Sequence, residues 1–264
     1  MKKEIGLPFG RSVWDTLKLY ANVAWYRSVV RLLQLKHSWK TFPFDIRDNL
    51  YYWKYLRAWA DPAARTWAES PEPPFPFRDY IKPDSIGLDI GAHRGYWTIA
   101  HAQEVSFPGA VFLIEPDPEN YFFLVRNLQA NKLSSHYPLP FGVWSCNTWL
   151  SLLGDSSHQG SFTRSISPQQ GSTPCVSIDN LVAFLGLKCL DWMKIDVEGA
   201  EVEVLRGALS TLQSLQPIVW MEVWKENEAQ LTQLLFPIPY TLFQKYDFDE
   251  NLSYWWLMPQ RVFG

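Results

Sequence analysis

Residues 85–95 read Ser-Ile-Gly-Leu-Asp-Ile-Gly-Ala-His-Arg-Gly, and a second apolar stretch, residues 110–115, ends in Glu115. The first stretch is short, apolar and partly β-branched, which is typical of a buried parallel strand. It leads into a turn whose glycines let the backbone bend sharply and let a ligand approach it closely. Glu115 follows Gly95 by twenty positions, where doubly wound proteins hold the hydroxyls of a ribose. The pair predicts an α/β fold with a nucleoside site at a strand-to-helix crevice.

The turn also narrows the class of nucleoside ligand. A dinucleotide fingerprint needs a second glycine between Gly91 and Gly95, where this chain has Ala92, His93 and Arg94. That absence disfavours a nicotinamide oxidoreductase. The chain has no Gly-x-x-x-x-Gly-Lys-Ser/Thr phosphate loop either. An acidic residue placed to bind a ribose, without a turn that can bind a pyrophosphate, fits a nucleoside cofactor that lacks phosphate. S-adenosylmethionine is the candidate.

A more specific block lies downstream. Residues 194–201 read Lys-Ile-Asp-Val-Glu-Gly-Ala-Glu, a helical pattern follows, and residues 218–222 form another apolar stretch that ends in an acid. With this block, residues 80–245 resemble the FkbM family of S-adenosylmethionine-dependent methyltransferases. The family usually has asparagine at the position of His93 and an aliphatic residue at that of Arg94. The matching segments are 89–95, 114–116 with Asn120 and Asn127, 176–180, 194–201 and 217–222.

The resemblance implies the class I methyltransferase architecture, which is a Rossmann-like α/β fold. Its mostly parallel seven-stranded sheet has an antiparallel last strand. The sequence pattern places strands at 85–90, 110–115 and 137–141, then two strands ending at Asp196 and Glu222, and a closing hairpin over 239–247 and 252–260. A helix from Asp117 and Pro118 to Asn131 is predicted from its capping residues. Residues 142–177 are predicted to be irregular, with a short hairpin and a mobile loop over the site.

Three parts are predicted: a helical, basic and aromatic-rich extension over 1–70, a proline-rich linker over 71–79, and the cofactor-binding domain over 80–264. Residues 1–60 hold 11 Lys and Arg against 4 Asp and Glu, whereas the rest of the chain is acidic. An amphipathic helix is predicted over 12–35, and a second helical stretch over about 48–59. The extension either roofs the substrate pocket or makes a peripheral membrane contact through residues 11–60. No nucleic-acid-binding motif is recognised, so no nucleic-acid partner is predicted.

The composition also bears on the compartment. The 3 cysteines are scattered and have no metal-ligand spacing, which suits a reducing environment. No apolar run reaches the roughly 18 residues that span a bilayer. Charges interrupt the N-terminal apolar stretch where a signal peptide would need its core. We therefore expect a cytoplasmic protein.

The predicted cofactor site follows from the turn and from the family resemblance. Asp89 should orient the turn and meet the amino end of the methionine moiety, and Glu115 should bind the ribose. By resemblance, Pro116 and residues 141–143 should border the adenine. The predicted cofactor-binding residues are Asp89, Gly91, Ala92, His93, Gly95, Tyr96, Glu115, Pro116, Gly142, Val143 and Asp196.

The predicted reaction is O-methylation of a hydroxyl on a sugar or glycan, a glycolipid or a secondary metabolite. If the strand stays extended, Lys194, Asp196 and Glu198 share one face. Asp196 is the leading candidate for general base or substrate anchor, with Glu198 and Glu222 assisting. His93 is either a base near the cofactor or a residue that tolerates the backbone angles of a tight turn.

Several alternatives stay open at this point. The three carboxylates could hold a divalent metal, or Lys194 could pair with a carboxylate in the sheet while Glu198 caps the next helix. Arg94 either touches the cofactor carboxylate or faces solvent. The rival function is a non-catalytic S-adenosylmethionine-binding or scaffold protein, for which the His93 and Arg94 departures are the only sequence support. The acceptor and the oligomeric state are not predicted.

Overall fold

A computed structural model describes residues 80–102, 105–154 and 164–262. The predicted N-terminal extension, its two helices, its membrane contact through residues 11–60 and the proline-rich linker all lie outside these ranges. The part of the predicted loop over the site that falls in 155–163 lies outside them as well. Within the described ranges, no helix is both long and apolar enough to cross a membrane.

Five parallel strands form the larger part of the main sheet. Most of their apolar residues are buried, as the sequence pattern predicted for strands covered on both faces, whereas Tyr137 and Trp224 are exposed. The five pair in parallel with one another, and the strand over Ile86–Ile90 lies in the middle of them. The five are β1 (Ile86–Ile90), β2 (Ala110–Ile114), β3 (His136–Leu139), β8 (Trp192–Ile195) and β9 (Ile218–Trp224).

A C-terminal hairpin completes this sheet. Strands β10 (Tyr240–Asp247) and β11 (Leu252–Pro259) pair with each other, and β11 inserts beside β9 with antiparallel register. The resulting order is β10-β11-β9-β8-β1-β2-β3. The prediction of seven strands with a reversed last strand is confirmed.

The helices connect successive strands. Asp117 accepts hydrogen bonds from the Glu119 and Asn120 amides at the start of the helix over Pro118–Ala130, and Asn131 ends that helix, as the capping residues predicted. The described helices are α1 (Tyr96–His101), α2 (Pro118–Ala130), α3 (Ile178–Leu185), α4 (Glu201–Arg206), α5 (Leu209–Ser214) and α6 (Glu228–Leu235).

The prediction of an irregular segment over 142–177 is wrong in its main part. The described residues there form a second sheet, whose strands are β4 (Gly142–Val143), β5 (Thr148–Gly154), β6 (Arg164–Gln170) and β7 (Thr173–Val176). Their order in the sheet is β4-β7-β5-β6. The predicted hairpin is present as β5 and β6. Strands β4 and β7 were not predicted, because the serine, glycine and glutamine residues of this segment weaken the apolar alternation that is typical of strands.

Three smaller boundaries also differ from the prediction. The third strand ends at Leu139 and not at residue 141. Strand β9 continues past Glu222 to Trp224 because β11 pairs with it along this length. The single helical stripe predicted after Glu201 is divided into α4 and α5 at Gly207, where a side chain would meet the Trp144 carbonyl oxygen at 2.4 Å.

The main core lies on one face of the large sheet. Alternate residues such as Ile90, Ile195 and Met221 point to this face and pack with apolar residues of α3 to α6. The intervening residues of the same strands point to the opposite face, and they include Asp89, Lys194 and Glu222. Because the carboxyl ends of β1, β2, β8 and β9 meet at one edge, the predicted site residues are brought to that edge.

Candidate functional site at the carboxyl edge of the sheet

The glycine turn after β1 is bonded to the strands on both sides of it. The Gly91 and Ala92 amides both donate to the Ile114 carbonyl, at 3.0 Å each, where β2 ends. The Asp196 amide donates to the Ile90 carbonyl at 3.0 Å, which fixes the end of β8 against the same turn. Backbone hydrogen bonds therefore join the predicted cofactor turn to both strands that carry predicted site acids.

The turn needs its glycines for the chain's own packing. Gly91 has φ +75°, and a Cβ there would lie 1.7 Å from the Asp196 carbonyl oxygen. Gly95 has φ +82°, and its Cβ would lie 2.8 Å from Leu124 Cδ1. His93 also has a positive φ, of 51°, so the interpretation of His93 as a residue that tolerates a tight turn is confirmed. Its predicted role as a base stays a prediction.

Glu115 stands directly after β2, and two backbone amides hold its carboxylate. The His93 amide donates to Oε2 and the Asp117 amide to Oε1, each at 2.8 Å. The side chain is 5% exposed. Burial raises the pKa of Glu115 to about 7, although both backbone hydrogen bonds act to lower it. A carboxylate oxygen can accept more than one hydrogen bond, so each oxygen retains capacity for a ligand hydroxyl.

Lys194 links the turn to two acids. Its ammonium lies 3.0 Å from Asp196 Oδ2 and 3.4 Å from Asp89 Oδ1, and it donates to the Gly91 carbonyl at 3.1 Å. The interpretation of Lys194 as the partner of a carboxylate in the sheet is confirmed. Asp89 is fully buried and also accepts a hydrogen bond from the Thr98 hydroxyl. These contacts place Asp89 where it can orient the turn; its contact with the cofactor stays a prediction.

Asp196, Glu198 and Glu222 form a carboxylate cluster. One ligand oxygen from each lies within 4.8 Å of the others, and all three side chains are half-buried. Burial, and then the charges of Asp196 and Glu198, raise the pKa of Glu222 to about 9. A hydrogen bond with Tyr254 opposes that rise. The structure thus brings together the three acids that the sequence singled out.

Glu198 reaches the cluster by a different route from the one predicted. Strand β8 ends at Ile195, and Glu198 has φ 51°, so an extended strand does not carry it. The predicted cap of the next helix by Glu198 is wrong, because the N-cap residue of α4 is Ala200. The Glu201 carboxylate accepts from the Gly199 amide at 2.8 Å and from Asn227 Nδ2 at 2.6 Å, which ties the turn before α4 to the segment after β9.

Arg94 does not face solvent, so that alternative is wrong. Its side chain is buried and lies along α2, where Nε donates to Asn120 Oδ1 at 3.1 Å. Its guanidinium also lies 4.4 Å from the centre of the Phe123 ring. The guanidinium is attracted to both groups, which explains why the side chain folds back onto the helix.

The other predicted cofactor residues differ in how much surface they offer. Ala92 and Val143 are nearly fully buried, and Val143 belongs to the main core. Gly142 is buried against Ile166 and Cys175. Pro116 is half-buried after Glu115, and Tyr96 begins α1. A ligand that borders residues 142–143 would therefore meet their backbone, and the predicted adenine contact stays a prediction.

Tyr254 is a site residue that the sequence analysis missed. It stands opposite Glu222 in the register of β9 and β11 and is stacked on Trp220, with ring centres 5.1 Å apart. The alternation of β11 was visible in the sequence, but its register against β9 was not. Thr98, the partner of Asp89, was missed because nothing in the sequence shows which way a side chain of α1 points.

Comparisons with known proteins identify the family of this chain. The family model of the methyltransferase FkbM domain matches residues 89–251. The hexuronic acid methyltransferase AglP of Haloferax volcanii is 30% identical over 142 residues, which are 52% of this chain and 55% of that protein. The chain thus matches about half the length of this curated relative.

Solved structures give more distant likenesses. The methyltransferase FkbM of Methylobacillus flagellatus is 18% identical with a TM-score of 0.47, over 66% of this chain and 44% of that one. The fibrillarin pre-rRNA processing protein of Methanococcus jannaschii is 16% identical with a TM-score of 0.44, over 69% of each chain. Both TM-scores are below 0.5.

Proposed function

Since this chain belongs to the FkbM methyltransferase domain family, we propose that it transfers a methyl group from S-adenosylmethionine to a hydroxyl of a sugar or glycan. The observation that carries the proposal is the direct packing of the glycine turn on the Asp196 backbone, which sets Glu115 and Asp196 at one edge of the sheet. The relative named as a hexuronic acid methyltransferase supports a sugar acceptor. Glycolipids and secondary metabolites with similar hydroxyls are the other acceptor classes.

Glu115 is the residue that best fits the proposed cofactor. Its two carboxylate oxygens are already held by the backbone amides of His93 and Asp117, so little side-chain entropy remains to be lost when a ribose donates to them. The turn over 91–95 is compatible with a nucleoside because it lacks the second glycine that a pyrophosphate requires.

In the proposed reaction the protein mainly aligns the acceptor hydroxyl with the methyl group. The bound cofactor supplies a methyl group on a sulfonium, which is a good leaving group, so positioning gives most of the rate. The acceptor oxygen forms a bond to the methyl carbon while the carbon–sulfur bond breaks. The hydroxyl proton passes to the Asp196 carboxylate, which is half-buried and held by Lys194.

The three clustered carboxylates raise the question of whether the reaction needs a divalent metal. In the described residues, Lys194 already places a positive charge beside Asp196, and burial favours a proton on Glu222. The cluster can thus be neutralised by the chain's own groups, and we propose a reaction without a metal. Full activity after treatment with EDTA supports this, whereas loss with EDTA and rescue by Mg²⁺ contradicts it.

Calorimetry with S-adenosylmethionine and S-adenosylhomocysteine tests the cofactor. We expect Glu115→Ala to weaken the binding of both, while Asp84→Ala, which changes an exposed acid just before β1 and so at the opposite edge of the sheet, leaves it unaltered. No binding of either ligand at millimolar concentration by the wild-type protein would falsify the proposal. Transfer of labelled methyl to glycans that contain uronic acids tests the acceptor class, and binding without transfer to any hydroxyl compound points to the scaffold alternative.

A further inference from the structure

We propose that Arg94 is a positioning residue, which fixes the glycine turn to α2 and thereby holds Glu115 in its ligand-binding orientation. The inference rests on the proposed binding of S-adenosylmethionine. Arg94 is a buried cation that takes no part in the proposed methyl transfer.

Both ends of Arg94 are anchored on the same helix. Its side chain donates from Nε to Asn120 Oδ1 at 3.1 Å, and its guanidinium lies 3.5 Å from Glu119 Oε1. Its backbone carbonyl accepts a hydrogen bond from Asn127 Nδ2 at 2.9 Å. Asn120 and Asn127 are buried too. A turn residue held at its backbone and at its side chain cannot move independently of α2.

The same helix start leads back to Glu115. The Asn120 amide donates to Asp117 Oδ1 at 2.9 Å, and the Asp117 amide donates to Glu115 Oε1 at 2.8 Å. The other oxygen, Oε2, accepts from the amide of His93, which directly precedes Arg94. Arg94, Asn120, Asp117, Glu115 and His93 therefore form a closed ring of hydrogen bonds and chain links.

The ring explains why this position matters for binding as well as for packing. An aliphatic side chain at position 94 could fill much of the space, but it would offer no donor to Asn120. The start of α2 would then be joined to the turn only through Glu115, and the helix only through the bond of Asn127 to the backbone carbonyl at 94, so the two amides that hold Glu115 would be less rigidly fixed. Fixing a ligand-binding group before the ligand arrives lowers the entropy lost on binding.

The test compares two arginines whose guanidinium groups each lie over a phenylalanine ring of α2; Arg94 is buried, whereas Arg126 is half-buried. Arg94→Met removes the link to Asn120, whereas Arg126→Met removes a guanidinium that lies 5.5 Å from the Phe122 ring centre, on α2 and away from the turn. Calorimetry with S-adenosylhomocysteine should show about tenfold weaker binding for Arg94→Met, a usual size for groups in one network. Arg126→Met should change the dissociation constant less than twofold.

A double-mutant cycle with Glu115→Gln separates positioning from general stability. If Arg94 acts through Glu115, Arg94→Met has little further effect on S-adenosylhomocysteine binding in the Glu115→Gln protein. Full additivity of the two effects overturns the proposal, as does unchanged affinity in folded Arg94→Met. If Arg94→Met does not fold, Asn120→Ala removes the same hydrogen bond from the other side, and the same outcomes decide. Failure of the wild-type protein to bind would instead refute the proposed function.

Discussion

The ammonium of Lys194 lies 3.0 Å from Asp196 Oδ2 and 3.4 Å from Asp89 Oδ1, so one buried cation joins the acid below the cofactor turn to the acid of the proposed acceptor site. Burial alone lowers the pKa of Lys194, but the two carboxylates outweigh burial and raise it overall. Lys194 is therefore charged at neutral pH. The ammonium also donates a hydrogen bond to the Gly91 carbonyl, so the same cation holds the turn.

This relationship predicts the effect of Asp196→Asn. The amide keeps the size of the side chain and can still accept a hydrogen bond from Lys194, but it cannot take a proton from a hydroxyl. We expect methyl transfer to fall by about 10²- to 10⁴-fold, the usual contribution of a general base. The measurement is the rate of labelled methyl transfer at saturating S-adenosylmethionine, with Glu198→Gln as the comparison. A larger loss in Glu198→Gln than in Asp196→Asn would move the role to Glu198.

The difference between local and long-range patterns explains which features the sequence could predict. Strand β1, the turn and the capped α2 depend on neighbouring residues, and these predictions were confirmed. The closing hairpin was also found, because its alternation is local. The second sheet, the pairing of Tyr254 with Glu222 and the direction of the Arg94 side chain depend on contacts between distant segments. No pattern within one segment specifies such contacts.

Glu222 should make stability depend on pH. Its pKa is raised to about 9 in the folded protein by burial and by neighbouring carboxylates, while the unfolded chain ionises near 4.5. Between these values the folded state binds more protons than the unfolded state, so the free energy of unfolding falls as pH rises. Urea unfolding at pH 7, 8 and 9 should show this fall, and Glu222→Gln should reduce it. An equal slope in both proteins contradicts the prediction.

Tyr254 should limit the rise in the pKa of Glu222. Its hydrogen bond lowers the pKa of Glu222 against the effect of burial, so Tyr254→Phe should raise that pKa further. The fall in the free energy of unfolding with rising pH should then extend to higher pH. Tyr246→Phe, on the edge strand β10, is the matched control. The prediction fails if both variants have the unfolding profile of the wild-type protein.

Glu115 should make the affinity for the cofactor fall as pH falls, whereas Glu222 makes stability fall as pH rises. Ribose hydroxyls donate to the ionised carboxylate, so ligand binding competes with protonation of a group whose pKa is raised by burial to about 7. The dissociation constant of S-adenosylhomocysteine should increase as pH falls from 8 to 6, by up to about tenfold per unit below the pKa. Glu115→Gln cannot titrate and should bind weakly at every pH. The same pH dependence in Glu115→Gln would assign the effect to another group.

Gly91→Ala and Gly186→Ala separate steric overlap from backbone strain. Both glycines have a positive φ, +75° and +66°, but a Cβ at Gly91 would lie 1.7 Å from the Asp196 carbonyl oxygen, whereas Gly186 has nothing within 4 Å. Gly186→Ala should therefore lower the free energy of unfolding by only about 1–2 kcal/mol, from the left-handed backbone alone. Gly91→Ala must also push the turn away from β8, so urea unfolding should show a clearly larger loss. If it still folds, its affinity for S-adenosylhomocysteine should fall, because the displaced turn carries the His93 amide away from Glu115. Equal losses in the two variants would mean that the turn can yield without disturbing Asp196, and the two acids would then not be held as one site.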